Sequence, residues 1–237
     1  MFLAEGRRVL EEAAAWGKVV EIVCTDSRIE EAGLIRDRLR QPVPVHLVSE
    51  DLMGWVSDLV TSQGIMGIVE KVDVALEDLP VGIPDLILVA DGVSDPGNMG
   101  SLMRIADASG ADVLLATAGC VDVYNPKVVR AAAGAHFHLP VVVGVTPGEL
   151  GAFMRREKVP LLGLDPRGDT RHLDADLTGR LALVVGNEAS GISGELSGML
   201  ERTLYIEMPG RADSLNVASA AAVVVFEALR QREAGEG

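Results

Sequence analysis

The apolar positions of this chain change period along its length, and the changes mark its elements. Over residues 6–16 they recur at helical spacing, and residues 19–25 (VVEIVCT) read as a strand. Ser27 followed by Glu30 has the spacing of a reciprocal capping box and predicts a helix start. Residues 43–48 predict a second strand, Ser49 the cap of a short helix, and residues 65–72 a third strand. Such alternation predicts a small α/β/α sandwich over residues 1–80.

Residues 77–85 (EDLPVGIPD) have the composition of a linker, and beyond them the pattern is more apolar. Strands are predicted at 86–90, 112–116, 140–145, 160–164, 181–185 and 203–207. Helices are predicted at about 98–109, 126–133, 148–157, 193–200 and 215–232. Runs such as LILVA, VVVGV and LALVV are apolar on both faces, as parallel strands covered by helices must be. The chain therefore divides into a first domain, 1–80, and an α/β parallel-sheet domain, 81–237. Its last helix (NVASAAAVVVFEALRQR) is apolar nearly all round for three turns. That pattern calls for burial on every side, by its own fold or by a partner subunit.

Composition narrows the function. With 48% apolar residues the chain is no disordered acidic protein, and with 3% aromatic residues its core is aliphatic. A net charge of −14 excludes generic coating of nucleic acid and by itself suggests an acidic enzyme acting on a small molecule. Cys24 and Cys120 sit in or beside apolar segments and read as small buried hydrophobes. No secretory signal is legible, and the longest apolar run, 220–226, is far short of a membrane span, so a cytoplasmic protein is expected. The histidines (46, 136, 138, 172) lack ligand-like spacing, so no metal site is expected.

Three strand-end loops resist a purely structural reading. In DGVSDPGNMGSLMR, Asn98 is placed to cap a helix on which Arg104 stands among apolar and small neighbours. Such an arginine either pairs with Asp91 or Asp95 or faces a cleft. In GNEASGISG, after LALVV, three glycines allow close approach to a ligand, or simply form a tight turn with Ser193 as cap. Its spacing matches neither the dinucleotide fingerprint nor the P-loop, which disfavours a dehydrogenase. In IEMPGRADSLN, polar residues crowd the start of the apolar last helix and need hydrogen-bond partners. Ligands gather at the carboxyl ends of strands in open α/β sheets, so one cleft near Asn98, Arg104, Glu188, Ser214 and Asn216 is expected.

These three segments, DPGNMGSLMRIADASG, LALVVGNEASGIS and YIEMPGRADSLNVASAAAVVVFEA, resemble in order and spacing the three motifs of the SpoU-type (TrmH-like) RNA ribose 2′-O-methyltransferases of the SPOUT superfamily. NPKVVRAAAGAHFHLPVV is similar to the family's linking segment, and the resemblance runs over residues 86–232. Less specifically, FLAEG and SQGIMGIVEK resemble the family's N-terminal substrate-binding domain, which is like a small ribosomal protein. One departure is IEMPG, where the family usually places the proline directly after the isoleucine; another is a start without the basic leading helix of many relatives.

The resemblance implies a C-terminal trefoil knot and S-adenosyl-L-methionine as cofactor. It implies a pocket at Gly186, Ile206, Met208, Gly210 and Leu215, and a homodimer through the last helix and the first motif. It implies methylation of an RNA 2′-hydroxyl, with ribosomal RNA expected before transfer RNA, or else an RNA-binding relative without activity. Asn98, Arg104, Glu188, Ser214 and Asn216 would be the catalytic set. The residue matching Arg104 has been proposed as the base in this family. A guanidinium with a pKa above about 12 is a poor base, so Arg104 is expected to clamp a phosphate beside the target ribose.

Overall fold

The computed structural model describes residues 1–57, 59–79 and 85–235. The first part comprises β1 (Phe2–Glu5), α1 (Arg7–Ala15), β2 (Val19–Cys24), α2 (Ile29–Arg36), β3 (Val45–Leu47), α3 (Glu50–Val56) and β4 (Ile65–Val69). Its sheet runs β1-β4-β2-β3, with β4 antiparallel to both neighbours and β2 parallel to β3. β1 was not foreseen, because four residues at a chain end are too few to display a period. Ser49 caps α3 as expected, accepting from the Leu52 N–H.

The Ser27–Glu30 capping box does not form. A 3-10 turn over Asp26–Arg28 precedes α2, and Ser27 bonds instead to Thr25 Oγ1 (2.9 Å) and Glu50 Oε1 (3.0 Å). A reciprocal box occurs later, at Thr146 and Glu149. The N–H and hydroxyl of Thr146 hold the Glu149 carboxyl below its usual range.

The second part comprises β5 (Leu86–Ala90), α4 (Pro96–Ala108), β6 (Val113–Thr117), α5 (Pro126–Ala132), β7 (Val141–Val145), α6 (Pro147–Glu157) and β8 (Leu161–Leu164). It continues with β9 (Thr170–Arg171), β10 (Leu181–Val185), α7 (Gly194–Ser197), β11 (Arg202–Tyr205) and α8 (Val217–Gly235). The seven strands run β7-β6-β5-β10-β8-β11-β9, and every pairing is parallel. The apolar runs serve two cores at once. Leu86, Leu88, Leu183 and Val185 face the side packed with Leu102, Val128 and Val224, while Ile87, Val89, Ala182 and Val184 face Leu150, Phe153 and Leu196. A sheet buried on both faces has no polar positions to alternate. β9, only two residues long, was too short to foresee.

The first core continues into residues 1–79. Phe2 on β1 packs on Tyr124 (ring centroids 4.9 Å apart), His136 and Phe137. The expected join at 77–85 falls partly on residues 80–84, outside the described residues. Among the described residues no helix is long and apolar enough to cross a membrane. Cys24 and Cys120 are free, and burial pushes both thiols up.

α8 is only partly covered by its own chain. Ala218, Ala221, Val224, Val225 and Ala228 are buried, but Val223 and Phe226 are 38% and 48% exposed. With Ser219 they form an open stripe at i, i+4, i+7 spacing.

Candidate functional site

Strand order reverses direction between β5 and β10, the kind of switch point where open α/β sheets form a crevice. The loops after β5 and β10 meet there. Asp91, buried at the end of β5, accepts from Thr117 Oγ1 (3.0 Å) and the Ser193 N–H (2.7 Å), fixing one loop to the other. Asn187 donates to the Gly92 carbonyl (2.8 Å) and takes the N–H groups of Ala189 and Ser190 (2.9 and 3.1 Å). Gly186 permits this closure. A Cβ there would overlap the backbone of Gly191 and Ile192, so the loop folds back across position 186 only if it is glycine.

Asp95, rather than Asn98, caps α4, its carboxylate accepting the Asn98 N–H (2.8 Å). Pro96 occupies the first helical position, which moves the helix start upstream and places Asn98 inside the first turn. Its freed amide bridges two loops. Nδ2 donates to Glu188 Oε1 (2.8 Å), and Oδ1 accepts from Asn216 Nδ2 (2.6 Å). Asn216 also accepts the N–H groups of Ala218 and Ser219, starting α8. Partial burial pushes the Glu188 carboxyl up. Hydrogen bonds from Asn98 and from the Ser94 and Asp95 N–H groups outweigh it and leave the carboxyl below its usual range.

This bridge closes one side of a cleft of about 530 Å³ at the carboxyl ends of β10, β8 and β11. Gly186, Glu188, Ile206, Met208, Ser214, Leu215 and Asn216 all line it. Gly210 does not, because residues 209–212 stand out in solvent. Glu207 is also outside and pairs with Arg171 (3.4 Å), so the displaced proline leaves Ile206 and Met208 on the cleft.

Arg104 lies on α4 outside the cleft lining. Among the described residues it makes no ion pair, so the expected pairing with Asp91 or Asp95 is not present. It is exposed on the outer stripe of α4, where Gly97, Ser101 and Ala108 are its neighbours at helical spacing. A fourth loop escaped sequence reading. Leu164 at the end of β8, with Asp165, Pro166 and Arg167 after it, forms the opposite wall. The signal was present as a strand followed by DPRG, the same polar, proline- and glycine-bearing texture as the other three loops.

The histidine pair near 137 serves packing. His136 meets the Val123 carbonyl (2.7 Å), with burial lowering its pKa, and His138 lies between Glu12 (3.2 Å) and Asp107 (3.3 Å).

A doubly covered parallel sheet with a strand-end cleft walled by four polar loops defines a class of small-ligand α/β proteins. Comparison with known proteins resolves the class. A model of the SpoU rRNA methylase family matches residues 85–226, and the chain belongs to that family. It is 33% identical to a 23S rRNA (uridine(2479)-2′-O)-methyltransferase of Streptomyces viridochromogenes, over 99% of this chain and 84% of that protein. It is 33% identical to the 23S rRNA (guanosine(2553)-2′-O)-methyltransferase RlmP of Bacillus subtilis, over 95% and 87%. The crystal structure of the SpoU methyltransferase AviRb from S. viridochromogenes with AdoMet superposes with a TM-score of 0.87 at 31% identity, covering 98% of this chain and 90% of that one.

Proposed function

We propose that this protein transfers a methyl group from S-adenosylmethionine to a ribose 2′-hydroxyl of RNA, with ribosomal RNA as the substrate. One observation carries the reading. The Asn98–Glu188–Asn216 bridge joins three loops at the lip of a single cleft, which Gly186 lines and whose second loop folds back only because residue 186 is glycine. The cleft fits the cofactor chemically. Its apolar part (Val185, Ile206, Met208, Leu215) suits an adenine ring, and its carboxylates (Asp165, Glu188, Asp213) suit the ammonium and sulfonium charges. Leucine and isoleucine side chains with close backbone from Gly186 are a lining for a flat heterocycle.

Bound S-adenosylmethionine supplies an already activated methyl group, so the residues of this chain need to position the ribose and manage one proton. Positioning alone contributes on the order of 7–11 kcal/mol to such a step. Glu188, held ionised by Asn98 and two backbone N–H groups, is an orienting anion. Asn216 sets the third loop against it through Asn98, and Ser214 faces the substrate from the cleft lining beside it. Arg104 contacts the phosphate flanking the ribose, and the proton leaves through that phosphate or a water. Ile206, Met208 and Leu215 hold the adenosine.

Residues 81–237 act as the methyltransferase domain, with the segment from 206 to α8 threading a trefoil knot, a rare topology. Residues 1–80 act as an α/β/α RNA-binding domain like a small ribosomal protein. The chain works as a cytoplasmic homodimer through α8 and the first motif. The open stripe Ser219–Val223–Phe226 supports this, since a second copy would cover it.

The test is methylation of total RNA in vitro with labelled S-adenosylmethionine, followed by mapping of the modified ribose. Label on a single ribosomal 2′-oxygen is expected. Label on transfer RNA would move the substrate, and absence of label together with absence of cofactor binding would overturn the reading.

A further inference from the structure

Among the described residues, Arg167 is the one cationic side chain on the cleft lining, which otherwise carries three carboxylates. Its side chain is 92% exposed and reaches Asp165 only at 3.6 Å. An arginine so free is ordinarily a solvated surface group, but the turn that carries it is fixed on every side. The Arg167 N–H donates to Asp165 Oδ1 (2.7 Å), and the Gly168 N–H donates to the Asp165 carbonyl (2.9 Å). The turn is then laced to β11 by N–H groups of Asp165, Asp169 and His172 bonding the carbonyls of Leu204, Thr203 and Tyr205, each at 3.0 Å. At Gly168 a Cβ would stand 2.8 Å from the Thr203 carbonyl oxygen, so the turn lies against the strand with no room for a side chain. A rigid platform thus holds a guanidinium without a close partner at the cleft wall beside β8, across β10 from the Asn98–Glu188 bridge.

We propose that Arg167 binds the carboxylate of the methionine tail of S-adenosylmethionine at that wall. The inference rests on the cofactor reading above and deepens it. Charge complementarity supports it: the cofactor carries two cationic centres and one carboxylate, and the cleft offers three carboxylates and one guanidinium. A guanidinium matches a carboxylate with two parallel N–H donors.

The test is calorimetric titration of the full chain, as wild type, Arg167→Ala and Arg167→Lys, with S-adenosylmethionine and with its decarboxylated form. Arg167→Ala is expected to weaken S-adenosylmethionine about tenfold, the typical loss of an exposed charge-assisted contact. Wild type should lose about the same factor when the carboxylate is removed from the ligand, and Arg167→Ala should lose nothing further. Arg167→Lys should restore part of the affinity. Thermal melting of each variant should match wild type, because the side chain is solvent-exposed. Equal affinity of wild type and Arg167→Ala for S-adenosylmethionine would overturn the proposal, as would equal losses for both ligands. An unchanged cofactor affinity with a raised KM for RNA would also overturn it, by assigning the guanidinium to a phosphate. Failure of wild type to bind S-adenosylmethionine would instead remove the cofactor reading itself.

Discussion

Asn98→Asp preserves the shape of the bridge and replaces its donor by an oxygen. Two carboxylates would then face each other where Asn98 Nδ2 and Glu188 Oε1 now lie 2.8 Å apart. At such a distance the repulsion is about 1.5 kcal/mol in bulk water and about 6 kcal/mol at an effective dielectric of 20. Glu188 is solvent-exposed and Asn98 half-buried, so screening places the value near the lower end, roughly 2 kcal/mol. That raises the upper ionisation of the pair by about 1–2 pH units. In wild type the Glu188 carboxyl lies below its usual range, so its contribution is present above about pH 4 and lost as the pH falls below that. In the variant the sign reverses. The upper ionisation lies above the ordinary carboxylate range, so the deficit is full at neutral pH and fades as the pH falls through that value. There a shared proton restores a donor between the oxygens. Thermal melts of wild type, Asn98→Asp and Asn98→Ala from pH 4 to 8 read this out, since Asn98→Ala adds no charge and should show a nearly flat deficit. Parallel curves for Asn98→Asp and Asn98→Ala would refute the reasoning.

Other outcomes follow from the same geometry. Gly186→Ala should abolish measurable cofactor binding in calorimetry and lower stability by about 1–3 kcal/mol, because the clash is with backbone that has no rotamer to change. Asp91→Ala strands the Ser193 N–H and the Thr117 hydroxyl in a buried site. It should lower stability by about 2–4 kcal/mol, a drop of roughly 5–15 °C in melting temperature for a chain of this size. Phe226→Glu should leave the chain folded and monomeric in analytical ultracentrifugation, if a second copy covers the open stripe of α8. Saturation with S-adenosylmethionine at about 100 times Kd should stabilise wild type by about 2.7 kcal/mol and raise its melting temperature accordingly.

The long elements were legible because burial on both faces leaves an unmistakable record. LILVA and LALVV can only be strands of a covered parallel sheet, and they became β5 and β10, the two walls of the switch point. What escaped was decided by contacts far apart in sequence. Thr170–Arg171 is a strand only because it lies beside β11, and Phe2–Glu5 only because β4 pairs with it. The local rule that Ser27 and Glu30 make a cap lost to a longer-range partner, Glu50. At the site, the identity of the polar residues was legible and their wiring was not. Local pattern places Asn98 as a cap for α4, and it is instead the link between Glu188 and Asn216, which lie 90 and 118 residues away. The wall at Asp165–Arg167 has a strand followed by DPRG as its signal, but a short polar turn of that texture is equally an ordinary surface turn, and only the fold sets it opposite the other three loops.

The net charge of −14 sets how such a protein can hold RNA, and the ion pairs sharpen the expectation. Many of its basic residues are already neutralised: Arg7 and Arg38 both reach Glu11, Arg28 reaches Glu31, and Arg36 reaches Asp37. Among the described residues, exposed cations without an ion pair include Arg8, Arg40, Arg104 and Lys127. Roughly three to five phosphates can therefore be met by each chain, and at about 0.7 counterions released per phosphate of single strand the slope of log K against log salt should be about −2 to −4. Affinity for random RNA should then be weak at physiological salt, with the correct site adding the specific contacts that hold a substrate in place. Fluorescence anisotropy with a random RNA and with the mapped target, each across a salt series, measures both quantities. Tight binding of random RNA with a slope near zero would contradict the charge distribution, because it would require a contact surface that owes nothing to phosphate.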